Sequence, residues 1–183
     1  MLNPDNIGIV KNTIIAVLIL FVSIYISSCE KDNTPSNAEV EFYLLSSFKT
    51  KDGTCKIIDS SAIMSDSALI KYNEIISYDM RDYSFKVSDR IADWLNDFEN
   101  NRIHTRAFAL TIDKEVIYTG YFWASFSSAM CGWIVIDPLN YSGKNELDVR
   151  LGYPGLIAGD TISDNRNDKR LLDVLRMDKK LIE

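Results

Sequence analysis

The stretch from Arg106 to Trp123 constrains the fold most, because two alternating apolar runs flank a short charged break. Phe108, Leu110 and Ile112 alternate with Ala107, Ala109 and Thr111. Beyond Asp113-Lys114-Glu115, Val116, Tyr118 and Phe122 alternate with Ile117, Thr119, Tyr121 and Trp123. A period of two in β-branched and aromatic residues specifies strands, and the break specifies a hairpin. Both faces are apolar, so the hairpin is central, covered on one side by a helix and partly covered on the other. Strict alternation places Val116, Tyr118, Gly120 and Phe122 on the main core face. Ile117, Thr119, Tyr121 and Trp123 then share the opposite face. Gly120 leaves a gap where a helix such as 88–100 is expected to approach closely.

Other segments extend the pattern. Val40, Phe42 and Leu44 alternate in a first strand; Lys49 to Thr54 holds an Asp-Gly turn; Cys55 to Ile58 reads as a short second strand; Asp59 to Ser67 reads as a loop. Tyr83 to Val87 alternates and predicts a strand. Ser88 to Asn100 predicts a helix, with Ile91, Trp94, Leu95 and Phe98 at i, i+3, i+4 and i+7 and Ser88 as N-cap. Gly132 to Asp137 is a buried strand closed by Pro138, and Asn140 to Asn145 a turn. Glu146 to Leu151 alternates so cleanly that an edge strand is expected, and Asp168 to Leu181 predicts a C-terminal helix buried through Leu171, Leu172, Val174 and Leu175. The fold class is therefore α+β, an antiparallel or mixed sheet with a central helix at about 88–100 and a C-terminal helix at about 168–181.

The amino-terminal part carries a different signal. Lys11 precedes the apolar run Ile14 to Ile26, too short to span a ~30 Å hydrocarbon core comfortably but suited to a signal-peptide h-region. Ile26-Ser27-Ser28-Cys29 resembles the lipobox of bacterial lipoproteins, with Ile where Leu is commoner. The resemblance implies that residues 1–28 are removed and that Cys29 is acylated, with palmitate among the chains it would carry. Glu30-Lys31-Asp32 resembles the short export signal of Bacteroidota surface lipoproteins. It implies the outer membrane, surface-exposed or periplasm-facing. Residues 29–38 are then a polar tether, and residues 39–183 one domain. Acyl chains contribute ~0.8 kcal/mol per buried CH₂, enough together for stable anchoring to a membrane.

Within that domain, Glu41 to Leu44, Tyr83 to Ser88 and Phe108 to Val116 follow one another as strand, strand into helix, and strand into Asp turn. The series resembles the head of the first periplasmic domain of SecD, over residues 40–137, leaving 138–183 as an extension. The resemblance implies an α+β fold and transfers no functional residue.

Composition narrows the chemistry. A net charge of −6, with scattered Lys and Arg, opposes nucleic-acid binding, which needs a basic face. His104 is the single histidine and reads as a loop residue. Zinc sites need three or four closely spaced N or S ligands, so neither a metal nor another cofactor is indicated. Asp160, Asp164 and Asp168 lack the calcium-loop pattern, and Asp137 with Asp148 or Glu146 is the kind of carboxylate pair any acidic chain supplies. A Cys131–His104 nucleophile lacks any flanking signature, so no catalytic residue is named.

With Cys29 acylated in an oxidising compartment, Cys55 and Cys131 are the one disulfide available, set against two buried thiols. Such a loop would contribute ~4–5 kcal/mol in the chain-entropy model. Tyr121, Trp123, Phe126 and Trp133, with serines between, form the candidate binding residues for an envelope protein or glycan. The competing reading packs them under the C-terminal helix and residues 139–167. A non-enzymatic interaction module is the leading expectation; an envelope enzyme or enzyme inhibitor is the alternative.

Overall fold

The computed structural model describes residues 37–139, 143–157, 159 and 161–183, with backbone only for Phe98 and Glu99. The signal-peptide and Cys29 readings, most of the tether, part of the 140–145 turn, and Asp160 lie outside the described residues. The elements are β1 (Val40–Ser47), β2 (Ile63–Met64), β3 (Ile75–Asp79), β4 (Ser84–Val87), α1 (Asp89–Asn96) and the single turn α2 (Phe98–Asn101). They continue with β5 (Ala107–Ile112), β6 (Glu115–Phe122), β7 (Cys131–Ile136), β8 (Glu146–Tyr153), α3 (Lys169–Met177) and β9 (Leu181–Ile182). The fold is α+β. Nine strands form one mixed sheet in the order β2-β1-β5-β6-β7-β8-β4-β3-β9, with β6–β7 and β3–β9 parallel.

The expected hairpin is the centre of this sheet. Ile112 and Glu115 pair across Asp113-Lys114, and both turn residues have positive φ, 49° and 67°. Two successive left-handed residues make a turn of type I′, whose twist matches the flanking strands. The Asp113 carboxylate accepts from the Glu39 backbone N–H at 2.9 Å, which ties the turn to the start of β1.

One expectation fails inside β6. Leu110 pairs with Tyr118 but Thr111 pairs with Val116, so Ile117 is an extra residue in the ladder. Such a bulge shifts side-chain parity by one. Tyr118, Gly120 and Phe122 keep the main core face, while Ile117 joins that core and Val116 moves to the other side.

The sheet curls around the main core. Phe42 on β1 and Phe85 on β4 meet edge to face, centroids 5.2 Å apart, although four strands separate them in sheet order. Phe42 also pairs with Ile70, just ahead of β3. Ile91, Ala92 and Leu95 of α1, and Leu171, Val174 and Leu175 of α3, bury into the same cluster. Ser88 caps α1 by accepting from the Ile91 N–H. The helix ends at Asn96, earlier than expected, because Asp97 leaves helical geometry at φ −74°, ψ 62°. Gly120 does face a tight contact, but not with that helix: a Cβ there would lie 2.7 Å from the Phe108 ring of β5 and from the Ile134 carbonyl of β7.

Two further expectations are corrected at the C-terminal end. Leu181 is not helical. Lys179 adopts φ 58°, Lys179 N–H bonds to Arg176 O, and Lys180 N–H bonds to Leu175 O. That pair of bonds is a Schellman stop, and it releases Leu181 and Ile182 to pair with Tyr78 and Asp79. Nor is β8 an edge strand, since it pairs with both β7 and β4. Its alternation reports one open face; both of its edges are hydrogen-bonded.

The second face of β1, β5, β6 and β7 is covered mainly by the chain from Phe48 to Met64, and Tyr153 of β8 joins it from the 139–183 region. Phe48, Cys55, Ile57, Ala62 and Met64 pack there against Leu45, Ala107, Ala109, Tyr121, Cys131 and Val135. The expected strand at 55–58 reduces to one bridge between Thr50 and Ile57. Asp59–Ser61 forms a 3₁₀ turn instead of open loop, and β2 lies farther on, at Ile63–Met64.

Candidate functional site

The aromatic residues singled out from the sequence divide into two groups. Tyr121 is only 7% exposed and meets the Phe48 ring edge to face at 5.9 Å. Burial under that cover pushes its phenol pKa up. Trp133 is half-buried on the same side. Its indole N–H donates to Thr119 Oγ1 at 3.2 Å, and that hydroxyl donates to Asp59 Oδ1 at 2.6 Å. This relay satisfies polar groups beneath the covering segment. Tyr121 and Trp133 therefore belong to the second core.

Trp123 and Phe126 lie at its rim. Trp123 follows β6 and is held by its N–H to Ile136 O at 2.8 Å. It is half-buried, and its indole N–H donates to Ala129 O at 3.2 Å, closing the loop 124–130 on itself. Within that loop Ser127 N–H bonds to Ala124 O at 3.0 Å, and Ala129 N–H to Ser127 Oγ at 3.2 Å. The Tyr153 hydroxyl donates to Ser125 O from β8. Held this way, the loop presents Phe126 at 61% and Met130 at 66% exposure.

His104 completes the cluster, and sequence reasoning missed it. Arg102 and Thr105 take positive φ, 47° and 64°. Thr105 N–H bonds to Phe122 O at 2.7 Å. This turn brings the imidazole 5.2 Å from the Trp123 ring and 6.0 Å from Phe126. His104 Nδ1 accepts from the Ala124 N–H at 3.2 Å, so the neutral ring carries its proton on Nε2. The helix before His104 and the strand after it were legible; the turn that aims it was not. His104 lies against the start of the loop, at Ala124, and Cys131 follows its end.

Cys131 opens β7 directly after this loop and is buried; Cys55 lies in the covering segment and is half-buried. Their sulfurs are 3.2 Å apart as thiols. Burial, with the Cys55 contact second, pushes the Cys131 thiol up to about 12.

A separate open cleft of about 690 Å³ lies on the polar face of β3, β4 and β8, lined by Asp79, Ser84, Lys86, Glu146, Asp148 and Arg166 among others. Two of its four lining acids pair with the arginine two residues on, Asp79 with Arg81 and Asp148 with Arg150, and Asp164 pairs in the same way with Arg166, which lines the cleft. The Arg81 hydrogen bond holds Asp79 down at about 2, and Arg166 likewise lowers Asp164. A carboxyl held low is ionised at neutral pH and cannot serve as a general acid. Asp168 closes a fourth such pair, with Arg170, and caps α3 through the Arg170 N–H at 2.9 Å. Asp164 and Asp168 are thus a guanidinium partner and a helix cap. Among the described residues, no group of three or more His, Cys, Asp or Glu is placed to hold a metal ion. No helix among them is long and apolar enough to cross a membrane.

No protein-family pattern, curated protein or solved structure matches this chain.

Proposed function

We propose that this chain is a lipid-anchored protein of the bacterial cell envelope that binds a protein partner through the loop 124–130 and its neighbours Trp123 and His104. The observation that carries this reading is the loop itself. Its backbone is tied down by Trp123, Ser127 and Tyr153, yet it holds Phe126 and Met130 out in water. Exposing large apolar side chains on an ordered loop forgoes roughly 1.5–3 kcal/mol each relative to burying them. A pre-organised aromatic and thioether pair suits an interface hot spot. Residues 123–131 contain no carboxylate, side-chain amide or cation. A glycan site needs such groups to fix hydroxyls, so a protein surface is the better fit.

Cys29 supplies the anchor in this reading, the residues before it the export signal, and the outer membrane the location. The likeness of residues 40–137 to the SecD head is proposed at the level of fold alone.

Photo-crosslinking in living cells tests the interface. A photoreactive residue at Phe126 is expected to give a discrete protein adduct, whereas the same residue at exposed Ile63 or Ile76 gives none. Equal labelling from all three positions, or adducts to oligosaccharide alone, contradicts a protein site on this loop.

A further inference from the structure

We propose that Cys55 and Cys131 are joined by a disulfide in the mature protein, and that this bond clamps the covering segment over the second face of the sheet at the foot of the aromatic loop. The two residues are 76 positions apart, yet their side chains meet with sulfurs 3.2 Å from one another. Disulfide formation needs such an approach, because Cys residues held apart cannot bridge without backbone movement. Both belong to the second core, enclosed with Tyr121, Val135 and Ile57. The covering segment is also attached by the Ile57 side chain, the Asp59–Thr119 hydrogen bond at 2.6 Å, the Lys56 ammonium donating to Thr161 O at 3.2 Å, and the apolar contacts of Phe48, Ala62 and Met64. Its own turn, closed by Lys51 N–H to Lys56 O and Ile58 N–H to Lys49 O, is local. A covalent link at Cys55 therefore fixes a self-contained excursion to β7. The same link fixes the residue where the aromatic loop ends.

The chemistry assigns different roles to the two sulfurs. The oxidant is an exchangeable disulfide, as carried by an oxidised dithiol protein or by oxidised glutathione. Cys55, half-buried, attacks first as thiolate; one carrier sulfur leaves as thiolate and a mixed disulfide forms on Cys55. Cys131, whose buried thiol resists ionisation, then gives up its proton and attacks the Cys55 sulfur already beside it, expelling the second carrier sulfur. Two protein thiols are oxidised and one carrier disulfide is reduced to two thiols. The bond does not depend on what the loop binds; only its oxidising compartment is borrowed from the anchored reading.

The test uses purified protein carrying Cys29→Ala, so that Cys55 and Cys131 are its only thiols, treated with oxidised glutathione and followed by intact mass and peptide mapping. The expected product has lost two hydrogens and yields a Cys55–Cys131 peptide pair. The variant Cys131→Ser should stop at a single glutathione adduct on Cys55, while Cys55→Ser should leave Cys131 unmodified in the folded state. Limited trypsin digestion gives a second readout: reduction should speed cleavage after Lys51 and Lys56 about tenfold. Stable glutathione on wild-type Cys55 with Cys131 still a thiol would overturn the proposal, as would equal cleavage rates in both redox states. Failure here leaves the crosslinking result from Phe126 untouched, so the two readings stand or fall separately.

Discussion

Substituting Gly120→Ala tests the packing at the centre of the sheet. The added methyl would sit 2.7 Å from the Ile134 carbonyl oxygen and 2.7 to 2.9 Å from two ring atoms of Phe108. The carbonyl belongs to β7, held in the sheet between β6 and β8. The ring is fully buried and packs on Phe42, Tyr118 and Phe122 at centroid distances of 5.7, 6.4 and 5.1 Å. Neither can retreat without moving a core neighbour. Overpacking of this kind costs ~1–3 kcal/mol, with the backbone contact placing this site near the top of the range. Restricting the unfolded chain offsets ~0.4–1 kcal/mol of that. The net expectation is a loss of about 2 kcal/mol, or a fall in Tm of roughly 4–8 °C for a domain this size. Thermal unfolding followed by circular dichroism, with a urea titration, measures it. Gly155→Ala is the control, since a methyl there meets nothing within 4 Å. A Gly120→Ala variant within ~0.5 kcal/mol of the parent would refute the close approach of Phe108 and β7.

Lys179 ends α3 in a left-handed conformation with an exposed side chain, so Lys179→Gly should stabilise by about 0.5–1 kcal/mol in urea unfolding; a loss of stability would contradict the Schellman stop. Tyr78 and Tyr118 are buried, and burial raises both phenol pKa values. Their contribution is fully present below the unfolded value near 10 and is lost as pH rises toward the folded values, because the unfolded state releases protons first. Each should remove about 1.4 kcal/mol of stability per pH unit above ~10. Urea midpoints measured from pH 8 to 11 check this, and a flat profile would place these rings in water.

Much of the sheet was legible because strands with one dry face must alternate. The hairpin about Asp113-Lys114, β1, β4 and β8 follow from that rule, and β7 from its continuous apolar run. Its failures are informative. Alternation reports which residues share a face, but a single bulged residue, Ile117, reverses the parity before it. It also reports how many faces are buried, not what buries them. The second face of the hairpin was correctly read as apolar, yet its cover is the polar-looking stretch 48–64. Only Phe48, Cys55, Ile57, Ala62 and Met64 turn inward there, at no regular period. Pattern alone therefore groups Tyr121 and Trp133 with Trp123 and Phe126 as binding residues, although their neighbours bury or half-bury the first two. His104 does lie in a loop as expected, but its place beside Trp123 depends on a turn with two left-handed residues, Arg102 and Thr105, neither of a type that advertises one. The strand β9 hid inside a helical pattern because Lys, not Gly, occupies the stop.

Anchoring at Cys29 is the premise on which the envelope setting, the oxidising compartment and a surface-presented loop all rest. Its most direct test is the mass of the amino-terminal peptide of the mature protein, recovered from a bacterial membrane fraction after expression from its own start codon. The expected peptide begins at Cys29 and carries fatty acyl chains, and Cys29→Ala abolishes both the processing and the acyl mass. A mature protein that begins at Met1, or at any residue other than Cys29, or that carries an unmodified Cys29, would contradict the account.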